Sequence, residues 1–423
     1  MRRRLLAAAA ALAATLVGVF ALARPAAAAT LTEVTGFGTN PSNLRMYVYV
    51  PNTVQARPAI LVAVHYCTGS GPAFYSGTEF ASLADRYGFI VVYPSATRSG
   101  SCFDVSSPQA LQRGGGSDPV GIMSMVTYAE QHYNGDPARV YVTGASSGGM
   151  MTNVLLGDYP DVFKAGAAFM GVPFGCFATT DGSSWNSQCS GGQRIYTPQQ
   201  WGDMVRAAYP GYTGARPRMQ VWHGTADTTL AYPNFGEEIK QWTNVLGVSQ
   251  TPVATDTPQS GWTRTRYGNA STQAPVEGIS INGVGHSLPM AGQAAMALAF
   301  MGLTSSGPTQ SSTPPSSSPP SSGPPPSSGG TAGCTATVSV NQWQGGFVAT
   351  VRVTAGSAAI NAWNVTLALP AGATVTNSWN VARSGNTWSN VAYNGHVNAG
   401  QYTEFGFQAN GTAGSLAPAC SAS

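Results

Sequence analysis

The sequence predicts an α/β fold built on a mostly parallel sheet, followed by a smaller all-β unit, and three observations carry this. Between residues 44 and 301, β-branched apolar runs alternate with helical stretches, the pattern of a sheet covered by helices on both faces. Residues 304–331 contain eight prolines, eleven serines and no charged side chain. Such a segment cannot bury a core and serves as an extended tether, reaching about 85 Å at most. Beyond residue 334 the helical pattern gives way to short alternating segments separated by Gly, Asn and Pro turns, as in an antiparallel β-sandwich.

Taken in order, residues 1–29 begin with Arg2, Arg3 and Arg4, continue as an Ala/Leu/Val run and end in Ala27-Ala28-Ala29. That is the layout of a secretory signal with an A-x-A cleavage site, so the product is expected outside the cell. The cleavage motif argues against a membrane anchor, and no later stretch is apolar enough to span a bilayer. Strands are predicted over 44–50, 59–65, 89–93, 139–143, 165–170, 219–223 and 278–282, with helices over 78–87, 120–133, 149–156, 235–246 and 290–301. Strands in the last part are predicted over 337–340, 347–354, 364–369 and 404–408. The organisation is therefore signal 1–29, α/β unit 30–303, linker 304–331 and β-sandwich 332–423.

The formal charge of +3 includes Arg2, Arg3, Arg4 and Arg24; without them 16 basic residues face 17 acidic ones. This leaves no electrostatic case for a nucleic-acid partner. Arg352, Arg383 and Glu404 are the sandwich's only charged residues, a surface suited to a neutral solid partner. Six cysteines in an exported chain favour disulfides. Four lie in the first unit (Cys67, Cys102, Cys176, Cys189) and two bracket the second (Cys334, Cys420). Pairing within units leaves three connectivities. His and Cys do not cluster at ligand spacing, so no metal and no cofactor are expected.

The chemistry is signalled by Gly144-Ala145-Ser146-Ser147-Gly148, which follows a predicted strand and opens a predicted helix. This is the strand–turn–helix setting of a G-x-S-x-G nucleophile elbow, where flanking side chains would crowd the sharp turn. A serine hydroxyl needs a histidine to take its proton and a carboxylate to steady the imidazolium. In the α/β-hydrolase arrangement the order along the chain is Ser, acid, His. His65 and His132 precede Ser146, His223 precedes the best acid, and His396 lies in the other unit, which leaves His286 in a Gly-rich loop after a strand. Asp227 follows a strand and fits the acid; Glu237 and Glu238 fall on a helical stretch and read as solvated, and Asp256 sits in a Thr/Pro loop. An oxyanion hole takes one amide from the residue after the nucleophile, Ser147, and one from an early loop, Tyr66 or Cys67.

The segments HYCTGS (65–70), YGFIVVYPSA (87–96), DVSS (104–107), TGASSGGMMTNV (143–154), YPGYTGARPRMQVWHGTADTTL (209–230) and GVGHSLP (283–289) resemble the secreted acetylxylan esterases of carbohydrate esterase family 1. That family belongs to the wider polyhydroxybutyrate-depolymerase-like esterases. The resemblance covers nearly all of 31–303 and implies an α/β-hydrolase fold with the triad Ser146, Asp227 and His286. It also implies an oxyanion hole from the Cys67 and Ser147 amides and disulfides Cys67–Cys102 and Cys176–Cys189. The bracketing cysteines, Val340-Asn-Gln-Trp343-Gln-Gly-Gly346-Phe, Asn361-Ala-Trp363, Asn377-Ser-Trp379-Asn and Tyr393-Asn-Gly395 resemble a family 2 carbohydrate-binding module. In such modules a flat aromatic row, here Trp343, Trp379 and Tyr393, stacks on sugar rings, while Trp363 belongs to the core. Gly346 resembles the cellulose-binding subgroup.

These resemblances imply a secreted serine esterase that deacetylates acetylated xylan while tethered to a cellulose surface; a monomer with no membrane partner is expected. Tyr66, Trp185, Trp201 and Trp262 are the aromatics available to line the sugar side. A feruloyl esterase or a polyester depolymerase would use the same triad. A non-catalytic wall-binding protein would lack a triad member, and none is missing.

Overall fold

The computed structural model describes residues 29–304, 333–343, 345–391 and 394–422. The signal before Ala29 and the tether beyond Thr304 lie outside them, as do Tyr393 and the side chains of Trp343 and Trp379.

Ten strands form one sheet: β1 (Thr32–Val34), β2 (Arg45–Tyr49), β3 (Ile60–Val64), β4 (Ile90–Ser95), β5 (Val140–Ala145), β6 (Phe163–Phe169), β7 (Arg218–Gly224), β8 (Ala254–Asp256), β9 (Trp262–Tyr267) and β10 (Val276–Ile281). Their order is β1-β2-β4-β3-β5-β6-β7-β10-β9-β8. The six strands from β4 to β10 run parallel, and antiparallel strands extend both edges. The central strands β3 and β5 are buried throughout, and β6 is buried except at Lys164, so they read as largely apolar runs rather than alternating ones. One face packs against residues such as Ile122, Met151, Leu155, Trp201 and Trp242, the other against Phe74, Phe80, Leu298 and Phe300. The helices that carry these residues lie between the sheet's strands in the chain, except Gln293–Met301, which follows β10.

The edge strands β1 and β8, and β9 beside β8, go beyond the sequence expectation. β9 reads W-T-R-T-R-Y, with only its first and last residues buried. Its arginines secure it, Arg264 to Asp256 and Arg266 to Glu277, both at 2.6 Å. Asp256 thus sits in an edge strand, not in a free loop. The helix Pro198–Ala208 was also unforeseen; Thr197 and Gln200 close a capping box at its start, with Pro at the tolerated first position.

Glu237 and Glu238, expected in solvent, are buried. Their helix, Pro233–Val245, lies between the sheet and the helix Pro198–Ala208. Glu237 accepts from Trp201 Nε1 at 2.7 Å and Lys240 Nζ at 2.6 Å, and Glu238 from Asn153 Nδ2 at 2.6 Å. A helical position next to two packed layers buries residues that composition alone assigns to water.

The second unit is all-β. One sheet comprises Cys334–Trp343, Gly346–Ala355, Tyr402–Asn410 and Thr374–Trp379; the other comprises Ala382–Ser384, Thr387–Ser389, Trp363–Thr366 and Ala419–Ala422. Trp363 and Trp388 are fully buried and stack on Phe405 and Phe407, with centroids 5.4 and 4.5 Å away. Each indole N–H finds a carbonyl, Asn394 O and Leu367 O, as buried tryptophan requires. The disulfides pair Cys67 with Cys102, Cys176 with Cys189 and Cys334 with Cys420.

Candidate active site

Ser146 stands between β5 and the helix Ser147–Asp158 with φ +55° and ψ −116°. Few non-glycine residues adopt such a backbone, and it persists because the surroundings fix it. Ser146 N donates to Phe169 O at 2.9 Å and Met150 N returns to Ser146 O at 2.8 Å. The flanking glycines are demanded by space: a Cβ on Gly144 would strike Gly148 O, and one on Gly148 would strike Val64 O.

Asp227 and His286 reach the serine from the loops after β7 and β10, neighbouring parallel strands. His286 Nε2 lies 2.8 Å from Ser146 Oγ, and Nδ1 lies 2.7 Å from Asp227 Oδ2. The other carboxylate oxygen, Oδ1, accepts from the amides of Thr229 at 2.9 Å and Leu230 at 3.0 Å. Burial is the largest influence on this carboxyl and opposes its ionisation. The contacts with His223 and His286, the charge on His286 and the Leu230 amide together outweigh it and hold Asp227 well below the usual carboxylate range. The ring of His286 therefore faces a permanent negative charge on one side and the hydroxyl on the other.

The loop after β3 brings a second set of donors. Thr68 N–H is taken by Gly100 O and Gly69 N–H by Tyr66 O. Among the described residues the amides of Tyr66, Cys67 and Ser147 have no acceptor. The disulfide to Cys102 ties this loop to the segment Ser99–Ser101. His65 underlies it: Nδ1 donates to Tyr66 O at 2.6 Å and Nε2 accepts from Ala96 N at 3.1 Å. Burial pushes the ring down to about 4, against the smaller opposing effect of the Tyr66 carbonyl.

A cavity of about 380 Å³ opens over Ser146. Its inner end holds Ser146, Met170 and Leu288, all buried, while Tyr66 and Trp185 at the rim are 42% and 44% exposed. Met170 adopts φ +49°, and its sulfur accepts from Leu288 N at 3.1 Å. Of the four aromatics offered for the sugar side, Tyr66 and Trp185 border the cavity. Trp201 and Trp262 are instead core residues, bonded to Glu237 and packed edge-on against Trp222 respectively. Chain order sets aside His65 and His223 as bases, yet both hydrogen-bond within the loops that border Ser146, Asp227 and His286. Their signal was adjacency, one directly ahead of Tyr66 and Cys67 and the other four residues before Asp227. Among the described residues no group of three His, Cys, Asp or Glu is placed to hold a metal.

Residues 44–258 match the protein family described as Esterase PHB depolymerase, and residues 334–422 the family described as Cellulose binding domain. The chain is 52% identical over 312 residues to "Feruloyl esterase B" of Talaromyces stipitatus, covering 73% of this chain and 86% of that one. It is 46% identical over 274 residues to "Acetylxylan esterase A" of Aspergillus oryzae, covering 64% and 88%. The structure of the acetyl xylan esterase from Aspergillus awamori superposes with a TM-score of 0.62 at 43% identity, covering 65% of this chain and 99% of that one.

Proposed function

This chain belongs to the Esterase PHB depolymerase family, and from that premise we propose that it is a secreted serine esterase that deacetylates acetylated xylan, with its cellulose-binding module holding it at the plant cell wall. The organisation that serves this is a signal over 1–29, an esterase unit over 30–303, a linker over 304–331 and a module over 332–423. Trp343, Trp379 and Tyr393 are its sugar-stacking row, for which the motif match is the support.

Ser146 Oγ attacks the acetyl carbonyl as His286 Nε2 takes its proton, and Asp227 stabilises the imidazolium. The carbonyl oxygen becomes an oxyanion held by the Ser147 and Cys67 amides. As the tetrahedral adduct collapses, His286 protonates the departing sugar hydroxyl, which leaves the acetyl group on Ser146. Water enters, gives its proton to His286 and attacks the same carbonyl; acetate departs and Ser146 recovers its proton. No cofactor takes part.

The observation that carries the reading is the hydrogen-bonded line Asp227–His286–Ser146 at the floor of a cavity with two aromatic side chains at its rim. Flat aromatic faces suit the apolar C–H faces of sugar rings, while the buried end admits a small acyl group. Feruloyl esterase is the second reading, favoured by the 52% identity to the Talaromyces enzyme. Incubation with acetylated xylan and with feruloylated arabinoxylan separates them: acetate release is expected, and ferulate as the main product would transfer the substrate to the second reading.

A further inference from the structure

His223 ends β7, four residues before Asp227, and takes no part in the reaction above. Its side chain is fully buried. Nε2 lies 2.7 Å from Leu230 O and 3.4 Å from Asp227 Oδ2. A backbone carbonyl only accepts, so Nε2 carries the proton. Nδ1 is buried and has no partner among the described residues. A bare lone pair is tolerable there, whereas an N–H would be a buried donor without an acceptor. The surroundings thus select the neutral Nε2–H tautomer. Tyr232 and Phe235 wall the ring, with centroids at 6.0 and 6.5 Å.

The carbonyl that His223 holds belongs to Leu230, whose own N–H donates to Asp227 Oδ1. Thr229 N–H fills the same oxygen. Residues 223–230 therefore form a closed loop of hydrogen bonds that leaves Oδ2 facing His286 Nδ1. Without the His223 bond, Leu230 would keep its amide but lose the anchor that sets where the amide points.

We infer that His223 is a positioning residue for Asp227: as a neutral Nε2–H ring it clamps the 227–230 turn, directs Oδ2 at His286 and leaves the carboxylate's negative charge uncancelled. This rests on the reading of Ser146, Asp227 and His286 as the triad.

Two measurements test it. In the isotopically labelled full-length protein at pH 7, ring ¹⁵N chemical shifts should show His223 protonated at Nε2 and bare at Nδ1. A charged ring, or an Nδ1–H tautomer, overturns the proposal whether or not any variant folds. In kinetics, His223→Gln extends an amide N–H to the reach of Nε2, whereas His223→Asn is too short to meet Leu230 O. The Asn variant should lose kcat by about 10- to 100-fold, the scale of a misplaced catalytic group, with KM nearly unchanged. The Gln variant should restore most of that loss. Equal losses in both variants, or a KM effect alone, would indicate a packing role and sink the idea. Ser146→Ala is the control for the underlying reading: if it stays active the triad assignment fails, whereas if it is inactive while the Asn variant is unimpaired only the clamp fails.

Discussion

Glu238 Oε1 accepts a 2.6 Å hydrogen bond from Asn153 Nδ2, joining two helices in the fully buried layer behind the nucleophile elbow. Asn153 completes the link, accepting from Trp242 Nε1 at 2.6 Å and donating to Gly149 O at 3.2 Å. The second carboxyl oxygen, Oε2, has no partner among the described residues. A buried carboxyl so placed favours its neutral form.

That preference makes stability depend on pH. Burial pushes Glu238 up to about 8, only partly offset by the Asn153 bond, whereas the unfolded chain has an ordinary carboxyl near about 4.3. Between those values the folded protein retains a proton that the unfolded chain releases, so this group's contribution falls as pH rises and levels off above about 8. Glu238→Gln titrates in neither state. Its melting temperature relative to the parent is expected to rise by several degrees between pH 4.5 and pH 8. A pH-independent difference would show that the carboxyl is already ionised in the fold.

Replacing Asp227 by Asn separates orientation from charge. The Thr229 and Leu230 amides hold an accepting oxygen at Oδ1, so the asparagine would present its NH2 to His286 Nδ1. That ring nitrogen would have to accept, which places the proton on Nε2, where Ser146 needs a base. The kcat for acetyl esters is expected to fall by about 10³- to 10⁴-fold, with a parallel slowing of Ser146 labelling by a fluorophosphonate. Unaltered labelling would mean that Asp227 does not set the tautomer.

His65 gives the opposite pH dependence from Glu238. In the fold its ring is held down to about 4 by burial, while an unfolded histidine titrates near about 6.5. On acidification between those values the unfolded chain takes up a proton that the fold refuses, so stability present above about 6.5 is lost by up to about 3 kcal/mol. Urea unfolding at pH 7 and pH 5 should show this loss in the parent and its absence in His65→Leu. The variant would be less stable at both values, having left Ala96 N unpaired and Tyr66 O with Gly69 N–H as its remaining donor.

Much of the site was legible because its geometry is local. The elbow needs two glycines around Ser146, and the loops that carry Asp227 and His286 each follow a strand. Parallel neighbours β7 and β10 then bring those loops together. The clamp of His223 on Leu230 could not be read, since it depends on a turn conformation that spacing does not specify. Glu237 and Glu238 were misplaced because charge alone suggests solvent, and only the packing of their helix against Pro198–Ala208 and Ser147–Asp158 reveals their partners Trp201 and Asn153. β1 and β8 were too short for a periodic signal, and β9 is masked by its arginines.

The two disulfides of the esterase unit are expected to govern different kinetic constants. Cys67–Cys102 braces the loop whose Cys67 amide we propose as an oxyanion donor, and the segment it joins is anchored by the pair Arg98–Asp118 at 2.5 Å. Cys176–Cys189 instead encloses the stretch that carries Trp185, packed edge-on against Phe177 at the rim of the cavity. Replacing either pair by serines removes a cross-link of comparable entropic weight, roughly 2–4 kcal/mol, so both variants should melt earlier. Loosening the oxyanion loop removes transition-state stabilisation, and kcat should fall by about tenfold or more with little change in KM. Loosening the rim weakens contact with the sugar in ground and transition states alike, which raises KM for xylan while sparing kcat. Steady-state kinetics of both double-serine variants on acetylated xylan check the split; matching losses in the two would mean that the disulfides act through global stability alone.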